Sequence, residues 1–241
     1  YEVNERENKV LKNVELNVAE GEFISVMGPS GSGKSTLLYN VSGMDSMTSG
    51  EVTFDGTGLG ELSEDELSQI RLRKMGFVFQ QINLLKNLGI KDNIILSAYM
   101  ANNRSRKEIN QKAVDLMKKT GIYELADNEI TQASGGQLQR AAICRALIND
   151  PKILFGDEPT GALNSSAASN VMDILSAVNE EGTTVMLVTH NVKVASRSER
   201  VLYMIDGRIA GEYKLGKFDK SRDKVKPREI ELSDWLLEMG F

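Results

Sequence analysis

The segment GPSGSGKS, residues 28–35, combines residue types and a spacing that suit phosphate binding. It matches the pattern G-x-x-x-x-G-K-[ST]. Glycines let backbone N–H groups turn toward phosphate oxygens, because no side chain blocks the approach. Lys34 brings a positive charge to the β- and γ-phosphates, and the Ser35 hydroxyl is a ligand that Mg²⁺ accepts. The segment therefore predicts a nucleotide-binding loop.

Two adjacent carboxylates follow a second apolar segment, ILFGDEP, residues 153–159. Ligands bind at the carboxyl ends of strands in open α/β sheets, which is where Asp157 and Glu158 fall. Acidic pairs in loops are often no more than solvated, so this interpretation depends on the phosphate loop upstream. With that loop present, we expect Asp157 to hold Mg²⁺ and Glu158 to polarise the water that attacks the γ-phosphate.

Gln80 and His190 each end an apolar segment, GFVFQ and TTVMLVTH respectively. Adjacent parallel strands finish at one edge of a sheet, so either side chain could approach the γ-phosphate. A residue that follows a strand is more often structural, and the residues alone leave both alternatives open.

Residues 131–147, TQASGGQLQRAAICRAL, contain what resembles half of a second phosphate site. A hydroxyl, two glycines and an amide precede a helical run, with Ser134 as the expected N-cap. Its four candidate residues are Ser134, Gly135, Gly136 and Gln137. Because the chain already has a complete phosphate loop, the residues alone leave open whether this segment binds a phosphate or is an ordinary Ser-Gly helix start.

The elements around these motifs alternate between strand and helix. GEFISVMG, KMGFVFQQ, PKILFGDEPTGAL and TTVMLVTH predict strands, and SSAASNVMDILSAVNEEG predicts a helix that ends at Gly182. Apolar strands without alternation, separated by helices, indicate a mostly parallel sheet covered on both faces. GEVTFDG, residues 50–56, predicts one more strand, and RVLYMIDGRIAGEY predicts a hairpin around Asp206 and Gly207.

Residues 91–147 have a helical pattern and predict an inserted α-helical subdomain. In SRKEINQKAVDLMKKTG, Ile109, Ala113 and either Leu116 or Met117 share one face, and the helix should end at Gly121. The tail, residues 214–241, reads as a charged linker and a terminal helix. That helix either docks on the domain or contacts a partner.

The net charge, the cysteine count and the length of the apolar runs argue against several classes of protein. The net charge of −5 argues against a nucleic-acid-binding protein. A single cysteine, Cys144, allows no intrachain disulfide, and we expect it to be a packed helical residue. No apolar run reaches the ~18–20 residues that span a bilayer. The chain starts without Met, so we expect further residues upstream.

Taken in order, GPSGSGKST, FVFQQ, SGGQLQR, ILFGDEPTGALN and VTH resemble the motifs of ATP-binding-cassette (ABC) ATPases. The resemblance extends to about residue 213. It implies an α/β P-loop NTPase fold with a RecA-like, mostly parallel sheet, an antiparallel β subdomain and the helical insertion. Residues 1–213 would then form the nucleotide-binding domain.

The resemblance also implies a site that uses ATP and Mg²⁺. Its catalytic residues would be Glu158, the switch histidine His190, the Q-loop glutamine Gln80 and Lys34. Ser35, Gln80 and Asp157 would hold the metal. The nucleotide would contact an adenine-stacking aromatic, the whole phosphate loop and, from a second copy, the Ser-Gly-Gly-Gln segment: Tyr1, Gly28, Pro29, Ser30, Gly31, Ser32, Gly33, Lys34, Ser35, Thr36, Ser134, Gly135, Gly136 and Gln137.

The implied function is that of an ATPase subunit working as a homodimer beneath a membrane permease, at the cytoplasmic face of the membrane. The chain is most similar to ATPases of antimicrobial-peptide resistance transporters, macrolide exporters and lipoprotein-release systems. The alternatives are a non-transport ABC ATPase of DNA repair or translation and an inactive nucleotide-gated module. The chain departs from the family pattern at Ala133, usually Leu, at Asn164, usually Asp, and at Gly156, usually Ala.

Overall fold

The computed structural model describes residues 2–3, 6–7, 9–219 and 224–241. In that part of the chain the strands are β1 (Glu2–Val3), β2 (Arg6–Glu7), β3 (Phe23–Met27), β4 (Thr53–Phe54), β5 (Thr57–Gly58), β6 (Met75–Phe79), β7 (Ile153–Asp157), β8 (Thr184–Val188), β9 (Arg200–Ile205) and β10 (Arg208–Lys214). The α-helices of the same residues are α1 (Lys34–Val41), α2 (Glu64–Lys74), α3 (Ile90–Ala101), α4 (Arg106–Lys119), α5 (Gly135–Leu147), α6 (Ser165–Glu180), α7 (Val192–Ala195) and α8 (Val225–Glu238). None of these described helices has both the length and the apolar character that crossing a bilayer demands.

The chain divides into two units. The first contains the described residues up to Leu67 together with Thr184–Phe241, and the second is Ser68–Thr183. Each unit has its own parallel strands, which confirms the predicted α/β class with mostly parallel strands.

In the first unit, β3 lies between β8 and β9 and is parallel to both. Every residue of β3 and β8 is buried, which explains why both read as continuous apolar runs. β10 pairs antiparallel with β9 and closes the predicted hairpin. Its turn places Asp206 at φ 48° and Gly207 at φ 78°, the left-handed pair that a tight two-residue turn requires.

The C-terminal helix α8 packs on this sheet. Leu232 and Leu236 are fully buried in a cluster with Met27, Val201 and Tyr203. This face of the helix therefore docks on the first unit, which was one of the two alternatives that the sequence left open. Two further apolar side chains of α8, Ile230 and Leu237, are exposed by 54% and 69%.

Arg228 fixes the start of α8. Its guanidinium is buried and donates to the carbonyl oxygens of Ser196, Ser198, Leu215 and Gly216 at 2.8–3.0 Å. A guanidinium satisfies several fixed acceptors at once because its donors are held in one plane. The arginine thus joins α8 to the end of α7 and to the segment that follows β10.

In the second unit, β6 and β7 form a parallel pair with register from Met75↔Ile153 to Phe79↔Asp157. α3, α4 and α5 bury a separate apolar core within the segment predicted to be helical. Cys144 belongs to this core, as expected, and burial raises the pKa of its thiol to about 12. Its Sγ lies 3.1 Å from the Thr120 Oγ1.

α4 follows its sequence pattern closely. Ser105 caps the helix by accepting from the backbone N–H of Glu108, whose carboxylate accepts from the Ser105 N–H in return. Ile109, Ala113 and Met117 are the buried residues. Of the two candidates for the last position on this face, Met117 is therefore the buried one, whereas Leu116 is only partly buried.

Two elements differ from the sequence prediction. GEVTFDG was expected to be one strand, but only Thr53–Phe54 is extended, and the chain turns at Asp55 and Gly56 to pair with Thr57–Gly58. Helix α2 was not predicted, because none of its residues is buried and an apolar stripe is therefore lacking. The one sequence feature that marks the start of α2 is the pair Ser63 and Glu66. The Ser63 N–H donates to the Glu66 carboxylate, and the Glu66 N–H donates to the Ser63 Oγ.

Replacing Arg228 with alanine should destabilise the protein more than any exposed change on α8. The variant leaves buried carbonyl oxygens without their donor, which costs on the order of 3 kcal/mol and lowers the melting temperature by roughly 6–12 °C. Thermal unfolding measures the change, and Lys226→Ala on the exposed side of the same helix is the control, expected within about 0.5 kcal/mol of the unmodified protein. Equal melting temperatures for the two variants would contradict the anchoring role.

Candidate nucleotide-binding and catalytic site

The predicted phosphate loop connects β3 to α1 in the first unit. Gly28, Gly31 and Gly33 all have positive φ, at 148°, 79° and 97°. A Cβ on Gly28 would lie 2.1 Å from the Met204 carbonyl oxygen, so no larger residue fits there without moving the backbone. Glycine at position 28 is thus imposed by the strand beneath the loop as well as by its own backbone angles.

The start of α1 is suited to an anion. Gly33 is its N-cap and provides no side-chain acceptor, and the first turn carries no acidic residue. The N–H groups and the positive end of the helix dipole are therefore not compensated by a carboxylate of that turn. Lys34 is half-buried, and its Nζ donates to the Pro29 carbonyl oxygen at 2.8 Å, which holds the ammonium over the loop.

The loop rests on the β9–β10 turn. The Gly207 N–H donates to the Ser32 carbonyl oxygen at 3.0 Å, and the Gly207 carbonyl accepts from the Lys12 N–H at 2.8 Å. A Cβ on Gly207 would lie 1.9 Å from the Val10 carbonyl oxygen. The sequence indicated only a hairpin turn at Gly207, and its contact with the phosphate loop follows from the tertiary structure.

The Ser32 side chain is a further donor within the loop. Its Oγ is buried, and in the described part of the chain no hydrogen-bonding partner lies within reach of it. A buried hydroxyl without a partner is costly. The phosphate loop thus retains hydrogen-bonding capacity, which fits a phosphate ligand.

His190 lies two residues beyond β8 and is exposed. β8 and β3 run parallel with Val188 opposite Val26, so His190 and the phosphate loop leave the sheet at the same edge. Asn191, the next residue, caps α7 by accepting from the N–H groups of Lys193 and Val194. Within the first unit, the structure therefore brings His190 to the sheet edge that carries the phosphate loop.

In the second unit, β6 and β7 bring Gln80 and Asp157 together. The Gln80 N–H donates to the Asp157 carbonyl oxygen at 2.9 Å. The Gln80 side chain lies over Gly161, where a Cβ would come within 2.9 Å of its Nε2. Behind Gln80, the buried Gln139 donates to the Phe79 carbonyl oxygen at 3.1 Å.

Glu158 has an unusual backbone. Its φ is 49°, in the left-handed region that disfavours side chains with a Cβ. Such a conformation costs on the order of 1–3 kcal/mol and occurs preferentially at functional sites. A turn fixes it, because the Gly161 N–H donates to the Glu158 carbonyl oxygen at 3.0 Å. The sequence pointed to the carboxylate and gave no sign of this conformation.

The Ser-Gly-Gly-Gln segment forms the start of α5. Ser134 caps the helix as predicted, since its Oγ accepts from the Gln137 N–H and its own N–H donates to the Gln137 Oε1 at 2.8 Å. A Cβ on Gly136 would lie 2.9 Å from the Ala167 Cβ, so the second glycine allows α5 to approach α6. Ser134 and Gly135 remain exposed.

Two of the three departures from the family pattern, at Ala133 and Asn164, have structural roles within this chain. Ala133 packs against the apolar core of α3–α5. Asn164 is the N-cap of α6 and accepts from the Ala167 N–H at 2.9 Å, a position at which Asn and Asp serve about equally well. Gly156 lies within β7, opposite Val78.

The side chains predicted to hold Mg²⁺ are a hydroxyl, an amide and a carboxylate, from Ser35, Gln80 and Asp157. Hard oxygen donors of this kind fit Mg²⁺, which keeps several waters and takes few ligands from the protein. Among the described residues, no group of three His, Cys, Asp or Glu side chains is placed to hold a metal ion. Tyr1, the predicted adenine contact, lies outside the described residues.

Comparison with known proteins identifies the family. The ABC transporter family pattern matches residues 11–161. The chain is similar to the uncharacterized ABC transporter ATP-binding protein MJ0796 of Methanocaldococcus jannaschii, with 45% identity over 91% of this chain and 95% of the relative. It is 41% identical to the bacitracin export ATP-binding protein BceA of Halalkalibacterium halodurans, over 92% of this chain and 87% of the relative.

A solved structure agrees with these sequence comparisons. The dimeric MJ0796 cassette bound to ADP and Pi, in a post-hydrolysis state, superposes with a TM-score of 0.83 and 43% identity over 90% of this chain and 96% of that one. Together with the motifs and the P-loop geometry, these matches show that the chain belongs to the ABC transporter family and is an ATP-hydrolysing subunit of that family.

Proposed function

We propose that this chain binds ATP with Mg²⁺ through residues 28–36, hydrolyses it with Glu158 as the catalytic carboxylate, and acts as one of two identical copies that drive a membrane permease. The observation that carries the proposal is the phosphate loop. Three glycines with positive φ, an uncompensated helix start and Lys34 over the loop together form a cradle for a polyphosphate.

Within this cradle, backbone N–H groups of the loop donate to phosphate oxygens, and the first turn of α1 adds the positive end of its dipole. Lys34 exchanges its contact with the Pro29 carbonyl for the β- and γ-phosphates, since a charged acceptor is stronger than a carbonyl. The buried Ser32 hydroxyl gains a partner. Tyr1 stacks on the adenine, as the family resemblance implies.

Ser35, Asp157 and Gln80 are the residues that would hold Mg²⁺ in the proposed site. When bound, the ion neutralises charge on the β- and γ-phosphates and supplies electrophilic stabilisation of the transferred phosphoryl group. The Gln80 backbone is bonded to Asp157, so the positions of these two ligands are coupled within the second unit.

For hydrolysis, the Glu158 carboxylate accepts a hydrogen bond from the attacking water and so orients its lone pair toward the γ-phosphorus. It takes up the proton of that water as the new P–O bond forms, the bond from the γ-phosphorus to the ADP oxygen breaks and ADP leaves. Gln80 and His190 each provide a polar side chain that completes the γ-phosphate environment. The left-handed conformation of Glu158 supports a functional role, because backbone strain of this kind persists where a side chain must take a fixed direction.

The Ser-Gly-Gly-Gln segment supplies the second half of the site in a partner copy. Ser134 and Gly135 are exposed at the start of α5, where N–H groups and the helix dipole suit a γ-phosphate. One copy already has a complete phosphate loop, so the phosphate that this segment contacts belongs to the other copy. The dimeric structures of the related MJ0796 cassette support such a pairing.

We further propose that the pair works at the cytoplasmic face of a membrane, attached to a permease. Relatives named for bacitracin export, macrolide export and lipoprotein release support a cargo that partitions into membranes, such as a peptide antibiotic. Exposed apolar side chains in the second unit support a permease contact around residues 80–100. These side chains are Leu85, Leu96, Tyr99 and Met100.

Lys34→Ala should weaken ATP binding about 10–100-fold, because a charge-assisted hydrogen bond to phosphate is lost. Titration with a fluorescent ATP analogue in the presence of Mg²⁺ measures the affinity. Lys193→Ala, at an exposed lysine of the same unit, is the matched control and should bind like the unmodified chain. An unchanged affinity in Lys34→Ala would refute the phosphate-loop assignment.

Glu158→Gln should leave ATP binding intact and reduce phosphate release at least ~100-fold, because the amide cannot take up the proton of the attacking water. ATP that is bound and not hydrolysed should also favour the paired state, which size-exclusion chromatography with light scattering detects. Glu180→Gln, at the exposed end of α6, is the control. Turnover within a few-fold of the unmodified protein would exclude Glu158 as the catalytic carboxylate.

Crosslinking tests the permease contact. A photoreactive residue at Met100 or Leu85 should crosslink to a membrane protein when the assembled complex is purified in detergent. The same probe at the exposed Lys226 on α8 serves as the control, and no crosslink is expected there. If neither position crosslinks in an assembled complex that still hydrolyses ATP, the permease does not contact this part of the second unit, and the proposed contact is wrong.

A further inference from the structure

We propose that the C-terminal helix α8 is a positioning element for the phosphate loop, so that nucleotide affinity depends on how α8 packs. This inference rests on the proposed role of residues 28–36 in binding ATP. It concerns contacts made entirely within the first unit, between α8, the strands β3, β9 and β10, and the loop.

The first contact is made directly before the loop. Met27 is the last residue of β3 and precedes Gly28. It is fully buried, and it packs in one cluster with Leu232 and Leu236 of α8. The apolar face of the helix therefore sets the position of the residue from which the loop departs.

The second contact passes through β9. Tyr203 lies in the same cluster and is paired in register with Met27, while its ring meets the Trp235 ring edge-on at 6.3 Å between centroids. The next residue of β9, Met204, carries the carbonyl oxygen that leaves no room for a Cβ on Gly28. Since the two backbones are already in contact, a shift of β9 must be followed by the loop.

The third contact passes through the hairpin. Trp235 and Met239 lie against Gly211 of β10, where a Cβ would come within 3.0 Å of Trp235 and 2.8 Å of Met239. The Tyr213 ring lies beside the Trp235 ring, tilted by 33°, with 5.2 Å between the centroids. At its turn, the same hairpin donates the Gly207 N–H to the Ser32 carbonyl of the loop. α8 thus packs against the middle of β10, in the hairpin whose turn supports the loop.

These three contacts have a consequence for binding. Bare N–H groups bind phosphate well only if they are held in place beforehand, because ordering them on binding costs affinity. Arg228 anchors α8 to carbonyls of the unit, so the helix forms a fixed base for β9 and β10. Loosening the packing under α8 should therefore free the loop and weaken nucleotide binding.

The experiment compares two cavity variants of similar size. Leu236→Ala opens a cavity beneath α8, and Ile109→Ala opens one in the core of α3–α5 in the other unit. Both should lower the melting temperature. At a temperature at which both are fully folded, Leu236→Ala should bind the fluorescent ATP analogue about 3–10-fold more weakly, a size typical of coupling through packed side chains. Ile109→Ala should bind it like the unmodified chain.

Leu236→Met, which nearly preserves side-chain volume, should bind ATP like the unmodified chain. In Leu236→Ala, the weaker binding should appear as a higher KM for ATP, with a smaller change in kcat. If Leu236→Ala does not fold, the milder pair Leu236→Val and Ile109→Val replaces it. Equal affinities for the members of a pair would overturn the inference. Lys34→Ala separates this failure from a failure of the proposed site, since that variant must lose binding if residues 28–36 hold the nucleotide at all.

Discussion

The steric contact between Gly28 and the Met204 carbonyl oxygen is the constraint on which the phosphate loop depends. A loop that offers backbone N–H groups to a ligand must turn its carbonyls and side chains away from it. At Gly28 the Cβ direction points toward β9, where the space is so small that only glycine fits. The conformation of the phosphate loop, and with it the ligand-binding surface, is therefore set by the strand β9 beneath the loop. Gly207 and Met204, which contact the loop through their backbone atoms, are part of the structure that makes the surface possible.

Both units contain residues with positive φ near the proposed site, but the residue types differ. In the phosphate loop, positive φ is given to glycines, for which it carries little strain. At the end of β7, positive φ falls on Glu158, where the side chain adds a cost of about 1–3 kcal/mol. Glycine there would relieve the strain and remove the carboxylate. The Gly161 N–H that holds the Glu158 carbonyl helps to offset this cost. A conformation that is costly for its residue type is best explained by the chemistry of that side chain.

Sequence reasoning succeeded where one local rule decides the structure. Ser134 caps its helix as predicted, with Gln137 three residues later returning the bond, and Asp206-Gly207 forms a turn because both residues tolerate positive φ. It failed where no local pattern in the sequence marks the element or the contact. α2 has a cap but no buried face, so periodicity could not reveal it. The contact of Gly207 with Ser32 joins positions 175 residues apart in the chain, and no local pattern encodes it.

The starts of three helices show how cap chemistry relates to anion binding. α4 begins with Ser105 and Glu108, and this carboxylate both satisfies the cap and compensates the helix dipole. α5 begins with Ser134 and Gln137, which give the same reciprocal bonds without the charge. α1 begins with Gly33, which provides no side-chain acceptor. A carboxylate at the start of α5 would repel a phosphate, whereas a neutral amide keeps the segment ordered and leaves the dipole uncompensated. Under the proposed pairing of two copies, Gln137 is therefore the residue type that allows this helix start to be preformed and still attract an anion.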